Sequence, residues 1–488
     1  MEKVLVEGGW KKRLVRHVGT AKDDLDLAVL LNEAQKTLSE LRRPNQLTLP
    51  FPAGGGVSGL RTVGEYHYGA ELVLGHLFDR LGISEEGLSG GLCRQLVIAR
   101  MLYPVSKRRT AQFLNRHFNA SLDEDQIYRF MDQLSKRQES ILATVRDYLL
   151  KQYPGSIGYL FYDVTTLYFE TDREDQDAQD LPGLRKRGYS KDHRDDLPQV
   201  VLGLAVNAMG MPLGYRLYSG NTYEGNTLMD GIDEIFAMLP NSNLGVVADA
   251  GMLSAKNLAA LEERHLTYIV GARLKSLPRP IQDEVTSLDF SKGPIRELSL
   301  GSRRLVVSYS RSRAEKARSG RERSVARLEQ LIAKNQAVRK HAYLDFTVKE
   351  KPKLNLQAIE ASARWDGIKG YLTNSPDLPA AQVIERYTDL YKVEQSFRMS
   401  KTDLRIRPAF HFKRERIEAH VVICMLALCV MRMLEEAVAP FGMTVGAAID
   451  ELNSAKSAIV QLGERQFLIP PAYSASLTRL IQSLGLVT

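Results

Sequence analysis

Apolar residues fall at helical spacing over residues 22–43 (KDDLDLAVLLNEAQKTLSELRR), and a connector rich in proline and glycine follows from Pro44 to Leu60. From about Tyr66 to Leu150 the helical period continues, with a break at Pro104. Ser106 is placed to cap a helix running through Arg116 and Phe118, and Asp123 to cap a long one ending near Leu150. At Ser156 the texture changes. GYLFYDVTTLYFE is aromatic and β-branched, residues 171–196 are polar, and apolar runs follow at Val200–Met209, Met211–Tyr218, 244–251 (LGVVADAG) and 266–274 (LTYIVGARL). A helical segment opened by Ser254 and reaching Arg264 separates the last two, so this part reads β-α-β, and five strands predict a mixed sheet. Beyond Lys275 the pattern loosens into short strand-like pieces and one basic helix. Strand character returns in IKGYLTNSPDL (368–378), a helix opens near Asp377-Leu378-Pro379-Ala380 and runs through Lys401, and helices are expected from there to the end. The apolar run Val421–Met431 stops at Arg432, short of the roughly 18–20 residues of a membrane span, and reads as a buried helix.

Composition narrows the class without naming it. At 488 residues, 44% hydrophobic and 25% charged, the chain has the make-up of a globular protein of roughly two to four domains, not of a disordered chain or a rod. Three scattered cysteines, Cys93, Cys424 and Cys429, form neither a disulfide framework nor a zinc pair, and the charged N-terminus lacks a signal-like apolar stretch, so a cytoplasmic location is expected. Gly54, Gly56 and Gly59 match G-x-G-x-x-G with Asp79 twenty residues on, yet Pro50 and Pro52 interrupt the strand a dinucleotide site requires. Net charge is +8, and the basic residues cluster: Arg311–Lys340, Lys107-Arg108-Arg109, Arg185-Lys186-Arg187 and Lys413-Arg414. Together these favour a polyanionic partner. In SKRRTAQFL three basic side chains sit beside helix-terminal N–H groups, which suits phosphate contact in a helix-turn-helix-like unit; a plain helical bundle is the equal alternative.

Three carboxylates carry the candidate chemistry. Asp163 interrupts an apolar, aromatic strand and Asp249 ends another; at the ends of adjacent strands their side chains can converge on one hard cation. Glu394 lies in RYTDLYKVEQSFRMSK. At about 100° per residue Tyr387, Glu394, Arg398 and Lys401 fall within about 60° of arc, flanked by Leu390, Phe397 and Tyr391, with Asp389, Lys392 and Ser396 on an opposite face expected in solvent. Such a face fits a helix docked over a metal, and an ion-pair stripe on a surface helix is the alternative. Two divalent ions roughly 4 Å apart, held by such a trio, stabilise in-line phosphodiester displacement, with Mg²⁺ the natural choice. The sequence contains no H-E-x-x-H motif, and no Ser/His/Asp elbow of G-x-S-x-G type is evident.

YDVTTLYFE, GYSKDHRDDLPQVVLGLAVNAMGMPLGYRLYSGNTYEGNT, VVADAGMLS and DGIKGYLTNSPDL, followed by Y-x₆-E-x₆-K at Tyr387, Glu394 and Lys401, resemble in this order the DDE-type bacterial insertion-sequence transposases of the insertion-sequence-four-like group. The resemblance spans roughly residues 90–435. Leu390 stands where the group's signature carries arginine, and Arg398 offers a charge one turn beyond the glutamate. The resemblance implies an α/β fold: a ribonuclease-H-like mixed sheet core with a mainly β insertion and a helical N-terminal DNA-binding region. The implied parts are residues 1–150 for DNA binding, 151–274 and 366–435 for the core, 275–365 for the insertion between Asp249 and Glu394 (145 residues apart), and 436–488 as a C-terminal helical region. It further implies Asp163, Asp249 and Glu394 as catalytic and metal-binding residues. Mg²⁺ would be the cofactor, with Mn²⁺ able to substitute. Tyr387, Arg398, Lys401, Lys107, Arg108, Arg109, Lys191 and Arg194 are expected on DNA. The expected activity is cleavage at element ends and transfer of the 3′-OH into target DNA. The partners would be double-stranded DNA (terminal inverted repeats and target) and a second copy in a synaptic homodimer at the bacterial nucleoid, with no membrane. A nuclease that never joins ends, and an inactive DNA-binding regulator, remain the other readings.

Overall fold

The computed structural model describes residues 2–6, 9–13, 60–83, 91–154, 158–177, 182–237, 244–252, 254–334, 340–345 and 352–486, with positions 17, 18, 20, 30 and 34 besides. Of the helix expected over 22–43 only positions 30 and 34 are described, both helical; the connector with Gly54, Gly56 and Gly59 lies outside the described residues. The chain divides into two compact units, residues 1–61 with 461–465, and residues 62–460 with 466–488. In the first, β1 (Glu2–Val6) and β2 (Gly9–Arg13) pair antiparallel.

After β3 (Leu60–Tyr66) come α1 (Tyr68–Asp79), α2 (Leu92–Leu102), α3 (Lys107–His117), α4 (Glu124–Lys136) and α5 (Gln138–Gln152). Asp123 caps α4 in a reciprocal capping box: its carboxylate accepts the Gln126 N–H at 2.6 Å and the Gln126 side chain accepts the Asp123 N–H at 2.7 Å. Ser106 holds the N-cap position of α3 without a side-chain bond, and the long helix expected to Leu150 is two, parted at Arg137.

The sheet is built from β4 (Tyr159–Tyr168), β5 (Gln199–Val206), β6 (Pro212–Ser219), then α6 (Thr227–Ala237), β7 (Gly245–Ala248), α7 (Ala255–Glu263) and β8 (Tyr268–Ala272). Its order runs β6-β5-β4-β7-β8, with the first three strands antiparallel and β7 and β8 parallel to β4. This is the ribonuclease-H-like arrangement. All eight residues of β5 are buried, because helices cover both faces.

Next come α8 (Arg279–Ser287), β9 (Ile295–Leu300), β10 (Arg303–Tyr309), α9 (Arg311–Ala333), the short pair β11 (Leu344–Asp345) and β12 (Lys353–Leu354), α10 (Leu356–Ala363) and β13 (Ile368–Thr373). The expected separate β insertion does not form here: β13, β10 and β9 add antiparallel to β8 and extend the core sheet to eight strands. Leu305, Val306 and Val307 are fully buried, which requires this shared core.

The chain ends with α11 (Ala380–Thr388), α12 (Tyr391–Arg398), α13 (Arg414–Val438), α14 (Val445–Ser454), β14 (Ser457–Leu462), β15 (Arg465–Ile469) and α15 (Ala475–Ser483), so the expected all-helical tail contains two strands. α13 and the turn after it are long and apolar enough to cross a bilayer by composition, but 94% of the apolar window is buried. Being apolar all round, α13 sits in the middle of the core, against α1, α2 and α4 and against β6. The boundary expected at residue 150 is therefore not a structural one: α1, α2 and α4 lean on a helix from the far end of the chain, and α1–α5 belong to the same unit as the sheet.

Candidate active site

Parallel pairing of β4 with β7 sets Tyr162 opposite Ala248, so Asp163 and Asp249 each come one residue later at equivalent positions on neighbouring strands. Asp163 accepts the Val164 N–H at 2.7 Å, and burial, only partly offset by the Lys191 ammonium, pushes its carboxyl up to about 6. The neighbouring charges of Asp249 and Glu224 act in the same upward direction. Asp249 is exposed and accepts a 3.0 Å hydrogen bond from the Tyr387 hydroxyl.

Lys191 stands among these acids. Its ammonium lies 3.8 Å from Asp163 and 3.1 Å from Glu224, and donates to the Val164 carbonyl at 2.7 Å. Burial lowers its pKa, but Asp163, Glu224 and Asp249 outweigh that and raise it. Lys191, expected on DNA, thus occupies the place of a cation between carboxylates. Glu224 is not among the residues that the sequence pattern singles out. It opens the helical turn after β6, and a Cβ placed on Gly251 would stand 3.7 Å from its Oε2 and 3.8 Å from Asp249 Oδ2, so the two acids flank one point. The signal that could have found it is an acid in GNTYEGNT directly after the third strand of the core.

Among the described residues no three His, Cys, Asp or Glu side chains are gathered closely enough to hold a metal as they stand. The donor set nevertheless fits a hard divalent ion: oxygen ligands only, one carboxyl protonated more readily than usual because it is buried, and an ammonium standing in.

Glu394 is exposed on α12 and is not drawn into this cluster; its charge acts on Tyr387 and on Lys369, which also feel Asp249. Burial, then the nearby Arg313, lowers the pKa of Lys369, whose ammonium lies 4.7 Å from the centroid of the Tyr387 ring. The single helix expected from 380 to 401 is interrupted twice. Leu390, in the arginine position of the group's signature, is buried where α11 ends, and Lys392 and Val393 donate to Asp389 and Leu390 across the joint. A π turn follows over Met399–Asp403, closed by Leu404 N–H to Met399 O at 2.9 Å. A constant 100° step therefore misplaces Lys401. Its ammonium is held at 3.2 Å by both oxygens of Asp192, which also binds Arg407 at 3.0 Å. Ser396, expected in solvent, is buried and donates to the Gly210 carbonyl at 3.1 Å.

The other residues expected on DNA divide. Arg108 and Arg398 are exposed, and Arg109 is exposed with its guanidinium bonded to the Tyr103 hydroxyl at 2.5 Å. Arg194 is half-buried and paired with Asp196 at 3.0 Å. Tyr387 is buried and bonded to a carboxylate, so it has no surface to offer DNA, and Lys107 is 4% exposed, an interior side chain. The cluster Arg185-Lys186-Arg187 is neutralised within its own loop by Asp175, Asp177 and Glu174.

These carboxylates lie within a recognisable stretch of sequence. Residues 160–430, more than half of the chain, match the family described as Transposase DDE domain, and the chain belongs to that family of transposases, which are enzymes of DNA recombination. Enzymes of this type use divalent metal ions. No curated protein matches the chain. Among solved structures it is similar to a piggyBac transposase in a cryo-EM synaptic complex with hairpin DNA, at 10% identity, a TM-score of 0.40 and 81% of each chain covered.

Proposed function

We propose that the chain cleaves DNA at the ends of a mobile element and joins the freed 3′-OH to target DNA, using Mg²⁺ held by Asp163, Asp249 and Glu394. The observation that carries this reading is the shared cation place between Asp163, Glu224 and Asp249, now taken by Lys191. A divalent ion bound there supplies the charge that activates the attacking oxygen and stabilises the leaving one. Asp163 and Asp249 present their carboxylates side by side from rigid strands, and Tyr387 fixes the rotation of Asp249. Glu224 adds negative charge beside Asp249. Glu394 would be supplied by α12, an element separate from the sheet that packs on β4 and β5. Exposed Arg108, Arg109 and Arg398 offer charge to DNA phosphates, and the Y-x₆-E-x₆-K spacing favours the insertion-sequence-four-like group.

Cleavage and gel shift on the same preparations test this. Asp163→Asn, Asp249→Asn, Glu394→Gln and Glu224→Gln should each lose Mg²⁺-dependent cleavage by at least about 100-fold while binding DNA within about twofold of the parent, since ligands to an ion hold the reaction centre and not the duplex. Any one of the four cutting at the parent rate removes that residue from the site.

A further inference from the structure

Four basic side chains are buried together away from the carboxylates. Arg100 on α2, Lys107 at the start of α3, and His411 and His420 before and within α13 are all at most 7% exposed. They line one cavity of about 360 Å³, with Pro104 and Pro408 also in its wall. Among the described residues no carboxylate pairs with any of them. Arg100 reaches only the Leu404 carbonyl at 3.5 Å; His420 Nε2 meets the Ile406 carbonyl at 3.0 Å and Cys424 Sγ at 3.9 Å, and His420 Nδ1 has no partner. Lys107, among the same residues, makes no side-chain hydrogen bond and no ion pair.

Burial and then Arg100 hold the Lys107 ammonium down to about 7; burial, then Lys107 and Arg100, hold the His411 imidazole down to about 3. Each group, when charged, makes it costlier to charge the others, and among the described residues no carboxylate answers them. An uncompensated buried cation weakens a fold, so such a cluster is expected where an anion completes it. The N-terminus of the eleven-residue α3 opens at Lys107 and adds unpaired N–H groups of the same sign. Arg407, which Asp192 ties to Lys401, lines the same cavity, so the cavity adjoins the catalytic face.

We propose that this cavity binds a phosphate group of the DNA strand other than the one held at the carboxylates. That a phosphate binds follows from the cavity; that the phosphate belongs to DNA rests on the function proposed above. Exposed Arg109 also lines the cavity, but Arg100 and Lys107 are interior, and their charge is available only to a group that enters.

The test uses the full chain and Lys107→Met, which keeps length and removes charge. Without ligand the variant should melt higher than the parent, the reverse of what a lysine packed for structure would give. Inorganic phosphate should raise the melting temperature of the parent beyond chloride of equal ionic strength, and should not raise that of the variant. Duplex binding by the variant should weaken about tenfold, with the slope of log K on log salt shallower by about 0.9, the value for one phosphate. A parent that does not respond to phosphate beyond chloride overturns the proposal whatever the variant does. So does a variant that melts lower or fails to fold, or that keeps the parent's slope. A parent that responds to phosphate but does not bind duplex overturns the DNA reading and leaves the phosphate cavity standing.

Discussion

Tyr387 reaches Asp249 across Gly271. The tyrosine hydroxyl stands where a Cβ on Gly271 would be, and only because β8 carries no side chain at that position can the 3.0 Å bond to Asp249 form. Burial and the neighbouring Asp249 charge keep the phenol protonated, so it acts as a fixed donor.

Removing that donor should separate positioning from binding. Tyr387→Phe forfeits a hydrogen bond to a charged group, about 1.5–3 kcal/mol, so cleavage should fall roughly 10- to 100-fold with DNA affinity unchanged. Gly271→Ala should do the same by displacing an intact tyrosine. A loss of affinity at normal cleavage would instead return Tyr387 to DNA.

Asp163 makes the metal-free fold sensitive to pH. Its carboxyl is raised from 3.8 to about 6, so its contribution is fully present below about 4 and is lost as pH rises through about 6. At pH 7 and without metal, Asp163→Asn should therefore be more stable than the parent by on the order of 2–3 kcal/mol, from about two units at 1.36 kcal/mol each. Added Mn²⁺ should stabilise the parent and not the variant. Melting curves with and without Mn²⁺ at pH 4, 6 and 8 check this; a parent that is the more stable of the two at pH 7 without metal would contradict it.

Legibility in the sequence depends on range. Asp123 and Ser254 cap their helices as expected because capping is decided within three residues. The carboxylates Asp163 and Asp249 stand out because a charge inside an apolar run is unusual whatever the fold. Glu224 does not stand out, since an acid in a polar turn is ordinary until the turn is brought beside Asp249. A regular helical step misplaces Lys401 because the π turn breaks that step, and the helix-terminal pattern around Lys107 carries no information about its burial. The extension of the sheet by β9 and β10 depends on pairing with β13, whose nearest residue lies almost sixty positions from β10, beyond any local pattern.

The basic helix α9 divides in a way that its sequence does not show. Arg321 is bound through two 2.6 Å bonds to Asp366, whereas Arg318 and Arg323 are exposed. Arg321→Gln should lower stability by roughly 1.5–3 kcal/mol, as breaking a charged hydrogen-bonded pair does, and leave the salt dependence of DNA binding alone. Arg318→Gln with Arg323→Gln should leave melting alone and flatten that dependence by about 0.9 for each phosphate no longer neutralised. The opposite assignment of effects would place the DNA on the other face of α9.

In the function proposed above, Asp249 is a ligand to the ion that drives cleavage. Asp249→Cys exchanges a hard oxygen for a soft thiolate, which Mg²⁺ disfavours and Mn²⁺ accepts more readily. Single-turnover cleavage of end-bearing DNA by this variant, compared in the two metals, is the most direct measurement. The expected result is no cutting in Mg²⁺ and partial recovery in Mn²⁺; cutting in Mg²⁺ at the parent rate would contradict the account.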